Sequence, residues 1–283
     1  MVRVAVVTDS TADLPPELQE QHGITVVPLT VHFGEESFRD QIDISTDDFM
    51  ERLQRSETMP TTSQPSSGLF EDTFRQLAAD HDEIIAVFIS SKLSGTVMSA
   101  MLARDAVTDL VPVEIVDSQS ASMALGFQAL AAARYAAQGL GATAIAQRLR
   151  SAMGSYETLF FVDTLEYLRR GGRIGKASAM VGSFLDLKPM LRIDEGQVVP
   201  AERTRTRARA RKGLVDFVRA MPNVERLAVM HATTQDEAVE LAEEFDLTLP
   251  RENLVIARFG PVIGTHVGPG AMGVIVDVGS SDA

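Results

Sequence analysis

The chain opens with Val2-Arg3-Val4-Ala5-Val6-Val7, a short and nearly continuous apolar run. A run without polar alternation is typical of a strand that is buried on both faces, as strands of parallel sheets are. Similar runs recur at 25–31, 84–89 and 113–116. Helical stretches begin at Leu18 and extend over 46–54, 68–79 and 98–107. This alternation predicts a parallel sheet covered by helices.

The later part of the chain predicts a second α/β unit. An alanine-rich stretch at 121–146 predicts two helices broken at Gly139-Leu140-Gly141. Strands are expected at 159–162, 190–193, 197–200, 227–230, 254–259 and 273–278, with an apolar helix at 177–185. The turn Asp194-Glu195-Gly196 suits a hairpin. We therefore predict a two-domain α/β protein, with domains at 1–158 and 159–283.

Composition narrows the class of protein. The 283 residues are 45% hydrophobic and 23% charged, as in an ordinary globular protein. A net charge of −13 argues against a nucleic-acid partner, because it repels phosphate backbones. Cysteine is absent, and no segment has the length and apolar character of a membrane span or the pattern of a signal peptide. We expect a cytoplasmic protein with neither a disulfide nor a membrane span.

One local stretch runs against the acidic average. Residues 203–212 contain six basic side chains, in the order Arg203-Thr204-Arg205-Thr206-Arg207-Ala208-Arg209-Ala210-Arg211-Lys212. A solvated helix start explains this pattern. A docking patch for an acidic protein surface is the alternative.

Two hydroxyl-rich segments are candidates for an anion site. Pro60-Thr61-Thr62-Ser63-Gln64-Pro65-Ser66 precedes a predicted helix, which its hydroxyl groups are suited to cap. Ser90-Ser91-Lys92-Leu93-Ser94-Gly95-Thr96 follows a strand and opens a helix, where backbone N–H groups and the helix dipole favour an anion. Parallel sheets bind ligands beyond the carboxyl ends of their strands. Together the two segments favour an anion site, although the first alone is explained by capping.

Two glycine-rich segments complete the set of candidates. Residues 259–270 contain four glycines and His266, a pattern that indicates either close backbone approach to a ligand or a structural histidine. Residues 165–176 contain a glycine turn with Arg169, Arg170 and Arg173. A basic helix end stopped by glycine explains this turn. Exposed arginines that contact a phosphate or a partner protein are the other interpretation.

The order of these segments resembles the DegV family of fatty-acid-binding proteins. Further matches are Thr8-Asp9-Ser10-Thr11-Ala12-Asp13-Leu14, Asp117-Ser118 with Ser122-Met123, and Lys188-Pro189. The resemblance covers nearly the whole chain. Lys92 and Ala124 depart from it, because glycine is expected at both positions.

The resemblance implies that a long-chain fatty acid is buried between the two domains. It assigns the carboxylate to the hydroxyl groups of Thr62 and Ser94, with Ser63, Thr96 and His266 as neighbours. In the bacterial fatty acid kinase system, such proteins present the carboxylate to a separate ATP-dependent kinase, which makes acyl phosphate for phospholipid synthesis. The resemblance carries Arg170 over as a kinase contact. It implies a lipid-binding subunit without cofactor, metal or catalytic residue.

Two other functions stay open at this point. A hydrolase would use Ser94 as nucleophile and His266 as base, with Asp9 or Asp117 orienting the histidine. A carrier or regulatory protein for another amphipathic acid would need the same cavity. Contacts with the lipid tail are expected from the apolar helix at 177–185, although ordinary core packing explains the same residues: Met180, Val181, Phe184 and Leu185.

Overall fold

The computed structural model describes residues 2–180, 187–245 and 249–279. The first part contains β1 (Val4–Asp9), α1 (Pro16–His22), β2 (Ile24–Val27), β3 (Thr30–Phe33), β4 (Glu36–Arg39), α2 (Thr46–Arg55), β5 (Thr61–Ser63), α3 (Ser67–Leu77), β6 (Glu83–Phe88), α4 (Thr96–Ala106), β7 (Val113–Asp117), α5 (Met123–Ala137) and α6 (Ala142–Ser151). The second part contains β8 (Tyr156–Phe161), α7 (Glu166–Arg170), β9 (Lys188–Asp194), β10 (Gln197–Thr204), α8 (Arg207–Ala220), β11 (Arg226–His231), α9 (Gln235–Glu243), β12 (Leu254–Arg258), α10 (Pro261–Val267) and β13 (Met272–Asp277). This content confirms the predicted α/β class.

The predicted parallel sheet is present in the first part, with the strand order β2-β1-β6-β7. Central β1 pairs in parallel with both β2 and β6. Its side chains alternate between two apolar cores, with Val6 in one and Ala5 and Val7 in the other. Burial on both faces explains why the opening run is apolar without alternation.

An antiparallel sheet in the order β4-β3-β5 corrects two expectations. The strand predicted at 25–31 is divided, because β2 ends at Val27 and β3 begins at Thr30 in this other sheet. Pro28 between them lacks the N–H group that a continuing strand would donate. Thr61–Ser63 of the first hydroxyl segment form β5 and do not belong to a helix start, but the predicted capping is confirmed at Ser66, whose Oγ accepts from the Leu69 N–H at 3.1 Å at the start of α3.

The second part of the chain builds a mixed sheet in the order β10-β9-β8-β13-β11-β12. The predicted hairpin is confirmed: β9 and β10 pair antiparallel around Glu195 and Gly196, whose φ angles are 45° and 78°. Positive φ at both loop residues is typical of a two-residue hairpin turn. The helix predicted at 177–185 is wrong where it is described, because Gly175–Met180 forms a short 3-10 helix. A left-handed φ of 52° at Gly175 turns the chain there, against the Val198 carbonyl.

Helix α5 joins the two larger sheets. It is buried from Met123 to Ala133 and packs on β1 and β6 as well as on β8 and β13. Its small alanine side chains allow both sheets to approach. The predicted break after this helix is confirmed, since α5 ends at Ala137 and α6 begins at Ala142. A further contact between the sheets is the hydrogen bond from Ser90 Oγ to the Gly196 carbonyl, at 2.9 Å.

The predicted boundary at 158/159 falls inside β8, the first strand of the six-stranded sheet. The two-domain arrangement is consistent with the sheet membership, and the position of the boundary stays a prediction. None of the helices in the described ranges is long and apolar enough to cross a membrane.

The basic run is partly neutralised within the fold. Arg207 Nε donates to Glu237 Oε2 at 2.8 Å, and Arg211 pairs with Glu240 at 3.0 Å. These bonds join α8 to α9. They favour a structural role for the run over a docking patch.

Candidate functional site

An apolar cavity lies between loops that follow the parallel strands and one face of the six-stranded sheet. The wall is mostly aliphatic and aromatic, and includes Leu29, Ile89, Phe160, Ile193, Met230 and Ile275. Four polar side chains converge at one end of it: Thr62, Ser94, Arg173 and His266.

Thr62 reaches this end from β5. Its Oγ1 is 3.0 Å from Nε2 of His266, a residue 204 positions away in the chain. Pairing of Thr62 with Val31 on β3 holds the strand in place. Ser63 also borders the cavity, but its hydroxyl is 2.8 Å from Nε2 of His32. The antiparallel sheet therefore directs the Thr62 hydroxyl, and not that of Ser63, towards His266.

Ser94 lies in the turn between β6 and α4. Its Oγ is 2.9 Å from Oγ1 of Thr96, which is fully buried behind it. Gly95 faces the Gln64 side chain so closely that a Cβ atom at 95 would lie 2.5 Å from Gln64 Nε2. Glycine at this position therefore lets the two hydroxyl segments approach each other. The structure brings Thr62 and Ser94 to one cavity, and their binding role stays a prediction.

His266 lies in α10 and packs on the turn after α7. Burial, and to a smaller extent the charge of Arg173, lowers the pKa of His266 to about 4. The imidazole is therefore neutral at neutral pH. Its Nδ1 is buried and has no hydrogen-bond partner among the described residues. The ring lies against Gly171, where a Cβ atom would be only 2.2 Å from Nδ1.

Arg173 supplies the positive charge at this end, which corrects the expectation of an exposed side chain. It is half-buried, its Nε donates to the Leu93 carbonyl at 3.0 Å, and its Nη1 donates to the Gly171 carbonyl at 2.7 Å. Within the described ranges it forms no ion pair. Two carbonyls hold the guanidinium in place without neutralising it. The signal in the sequence was the preceding glycine pair, since Gly172 has a left-handed φ of 70° that redirects the chain.

A buried carboxyl group positions α10, a role that sequence reasoning missed. Asp13 Oδ1 accepts a hydrogen bond from the Gly260 N–H at 2.9 Å, and Oδ2 accepts one from Ser122 Oγ at 2.6 Å. Burial raises the pKa of Asp13 well above its usual value. The motif Thr8-Asp9-Ser10-Thr11-Ala12-Asp13 thus connects the end of β1 to the starts of α5 and α10. Its acidic residues directly after a buried strand were the available signal.

Two further buried carboxyl groups lie beside Asp13. Burial raises the pKa of Asp9 to about 6 and that of Asp40 to about 7. The Asp40 pKa is held down by the nearby Ser10 hydroxyl and Val262 N–H. The Ser10 hydroxyl and the Val262 N–H are near Asp40 without forming a hydrogen bond of normal geometry, so both Asp40 oxygens lack a partner among the described residues. These two carboxyl groups therefore titrate near neutral pH.

Arg170 lies outside the cavity. Its side chain is 53% exposed on α7 and pairs with Glu166 at 2.5 Å. Lys92 is likewise exposed, whereas Ala124 is buried in the first turn of α5. A kinase contact at Arg170 stays a prediction.

The hydrolase arrangement is not assembled in the described part of the chain. His266 is bonded to Thr62, and Ser94 to Thr96. The Asp9 oxygens accept from Thr11 and from the Ile89 N–H. Those of Asp117 accept from the backbone of Ser91 and Gln119. Neither aspartate orients His266.

Strands of the six-stranded sheet supply part of the cavity wall, and the predicted contact of the 177–185 helix with a tail stays a prediction. Phe160 comes from β8, Met230 from β11 and Ile275 from β13. Met180 ends the 3-10 helix, and Val181, Phe184 and Leu185 lie outside the described residues. No group of three or more His, Asp or Glu side chains suited to a metal ion occurs in the described ranges.

Known proteins are similar to this chain in sequence and in fold. A family model described as "Uncharacterised protein, DegV family" matches residues 3–278. A DegV domain-containing protein of Streptomyces coelicolor is 42% identical over 279 residues, which are 96% of this chain and 98% of the relative.

Two solved structures agree with these matches. A fatty-acid-binding DegV family protein from Thermus thermophilus has a TM-score of 0.89 and 35% identity, and the match covers 98% of this chain and 99% of that one. DegV of Bacillus subtilis, a fatty acid binding protein, has a TM-score of 0.89 and 36% identity, with 99% and 100% of the two chains covered. The family resemblance is confirmed, and the chain belongs to the DegV family.

Proposed function

We propose that this protein binds a long-chain fatty acid, with the carboxylate at Thr62, Ser94 and Arg173 and the hydrocarbon tail in the apolar cavity. The observation that carries the proposal is the end of that cavity: two hydroxyl groups meet an arginine that has no ion pair within the described residues. Fatty acid binding by the similar proteins from Thermus thermophilus and Bacillus subtilis supports it.

The proton arrangement at this end suits a carboxylate. A neutral His266 with its proton on Nε2 donates to Thr62 Oγ1, and the Thr62 hydroxyl then donates its own proton to the ligand. The buried Nδ1 has no hydrogen-bond partner among the described residues, which is consistent with the proton on Nε2. Arg173 adds the charge-assisted hydrogen bond that a carboxylate accepts best. Ser94 donates from the opposite segment, with Thr96 behind it.

The tail supplies affinity, and the polar end supplies orientation. Burial yields roughly 0.8 kcal/mol per methylene group, so a chain of about sixteen carbons offers on the order of 12 kcal/mol before entropic costs. The mostly aliphatic and aromatic wall of the cavity suits such a chain chemically. Hydrogen bonds and charge at one end exclude the reversed orientation, because they would face hydrocarbon.

We further propose that the bound carboxylate is presented to a separate ATP-dependent kinase, which forms acyl phosphate for phospholipid synthesis in the cytoplasm. The chain itself lacks the Gly-x-x-x-x-Gly-Lys-Ser/Thr pattern of a P-loop. Exposed Arg170, on the helix that precedes Arg173, is the proposed kinase contact. Its neighbour Glu166 already neutralises part of its charge, so the kinase would have to offer a stronger acidic or phosphate partner.

The test begins with the lipid that accompanies the purified protein. We expect mass spectrometry of a solvent extract to detect a long-chain fatty acid, and calorimetry with palmitic acid to show saturable binding. The variant Thr62→Val with Ser94→Ala should bind more weakly. Thr61→Val is the matched control, because its side chain is on the other face of the same strand.

The outcomes separate the candidate functions. A different amphipathic acid in the extract would support the carrier alternative. A burst of product from an activated ester would support the hydrolase. Equal palmitate binding by the double variant and the Thr61→Val control would contradict the proposed carboxylate site.

A further inference from the structure

Thr158 is a polar side chain of the cavity wall that the carboxylate end does not use, and unlike Ser122 in the same wall, which donates to Asp13, it has no hydrogen-bond partner among the described residues. Thr158 lies on β8 two residues before Phe160, and both side chains line the cavity. Their neighbours on β13 are Ile275 and Gly273, respectively. Because β8 runs towards α7 and the turn that carries Arg173, Thr158 lies about 7 Å deeper along the strand than Phe160.

The Thr158 hydroxyl is unexplained by the packing around it. The residue is 6% exposed, and Oγ1 has no hydrogen-bond partner among the described residues. The cavity wall beside it is apolar, with Ile193 and Ile275 among its members. Valine has the same shape and suits a strand equally well, and it would not leave a buried hydroxyl unpaired. An unpaired hydroxyl that faces an apolar ligand cavity points to a polar group on the ligand.

A second observation extends the polar character beyond Thr158. Tyr156, two residues earlier on the same face of β8, lines a neighbouring polar cavity. Gln128 lines that cavity as well, is 0% exposed, and has an Oε1 atom without a partner among the residues described. Ile193 borders both cavities. The far end of the lipid cavity thus adjoins unpaired polar groups instead of a closed apolar wall.

We propose that Thr158 determines ligand specificity, and that the cavity takes a long-chain acid with a hydroxyl group on the inner part of its chain. The inference rests on the proposed fatty-acid function and specifies the class of fatty acid. A ligand hydroxyl both donates and accepts, so it pairs with the Thr158 hydroxyl in either orientation. Hydroxyl groups at carbons 2 or 3 would remain at the carboxylate end, far from Thr158.

The experiment compares stearic acid with 3-, 10- and 12-hydroxystearic acids in competition calorimetry. We expect the wild-type protein to bind one of the inner hydroxy isomers about fivefold to tenfold more tightly than stearic acid. Thr158→Val should abolish that preference, so that stearic acid and the hydroxy isomers bind this variant equally well. Thr158→Ser, which retains the hydroxyl, should preserve it.

The outcomes distinguish this inference from the proposed function. If none of the acids binds, fatty acid binding itself is wrong. If stearic acid binds as well as every hydroxy isomer, or if Thr158→Val retains the preference, the role of Thr158 is wrong and a water molecule satisfies its hydroxyl. Urea unfolding of each variant checks that it folds.

Discussion

Gly171 offers a test of the carboxylate end that removes no functional group. Its φ and ψ are −71° and −6°, a conformation that alanine adopts without strain. The added Cβ would lie 2.2 Å from His266 Nδ1, whereas ordinary contacts begin at 3.4 Å. The ring must therefore move by about 1.2 Å, the difference between these distances. We expect Gly171→Ala to break the 3.0 Å hydrogen bond between His266 and Thr62.

The consequence for binding follows from that bond. A misdirected Thr62 hydroxyl no longer donates to the ligand, and a lost hydrogen bond to a charged group is worth about 1.5–3 kcal/mol. We expect palmitic acid to bind about 10- to 150-fold more weakly in calorimetry. The free energy of unfolding should fall by at most about 2.5 kcal/mol, because overpacking costs about 1–3 kcal/mol and the reduced freedom of the unfolded chain offsets about 0.4–1 kcal/mol of it.

Two controls make the result decisive. Gly154→Ala adds the same methyl group where no atom lies within 4 Å, and it should bind palmitic acid normally. In a His266→Ala background the clash is absent, so Gly171→Ala should cost no further affinity. Wild-type affinity in a folded Gly171→Ala variant would refute the reasoning. Equal losses with and without His266 would also refute it.

Three further predictions concern other parts of the molecule. Ser94→Ala should weaken palmitic acid binding by about 1–3 kcal/mol in calorimetry, because the carboxylate loses a donor; unchanged affinity would contradict its assignment. The pKa of Asp40 is raised from 3.8 to about 7, so the folded protein binds more protons than the unfolded chain between these values, and the unfolding free energy falls as pH rises through this window. Asp40→Asn should therefore flatten the urea-unfolding profile between pH 5 and 8, by at most about 2.5 kcal/mol, because only about two pH units of the window lie in this range. The exposed Asp43→Asn should not, since the pKa of Asp43 is lowered to about 2, below this range. Arg170→Ala should leave palmitic acid binding intact and slow phosphorylation of the bound lipid by a cognate kinase; an unchanged rate would make Arg170 a structural residue.

Local sequence patterns were sufficient for the main strands and singled out segments that the structure brings to one cavity. The apolar opening run predicted a strand buried on both faces, because in a parallel sheet each face packs on helices. The turn at Glu195 and Gly196 predicted the hairpin from its residue types. The structure shows the positive φ angles at both positions that a two-residue hairpin turn requires. The segments with Thr62, Ser94 and His266 were singled out from sequence by their hydroxyl and glycine patterns, and their role in binding an anion stays a prediction.

The antiparallel sheet and the roles of the charged residues required the tertiary structure. The three-residue strand β5 pairs with β3, which lies about thirty residues earlier in the chain. A strand this short has no periodicity that would reveal it in the sequence. Arg170 and Arg173 look equivalent in sequence, yet one is exposed beside Glu166 and the other is half-buried in the cavity. Charge alone does not distinguish them, because the effect of a charge depends on its burial and its partners.

Buried polar groups illustrate the same limit. The raised pKa of Asp13 comes from burial between β1, α5 and α10, which only the packed chain creates. Thr158 is an ordinary strand residue in sequence, and only the packing leaves its hydroxyl without a partner in the cavity among the described residues. Local sequence specifies which groups a strand carries. The free-energy cost of burying them, and hence their function, depends on neighbours that are distant in the chain.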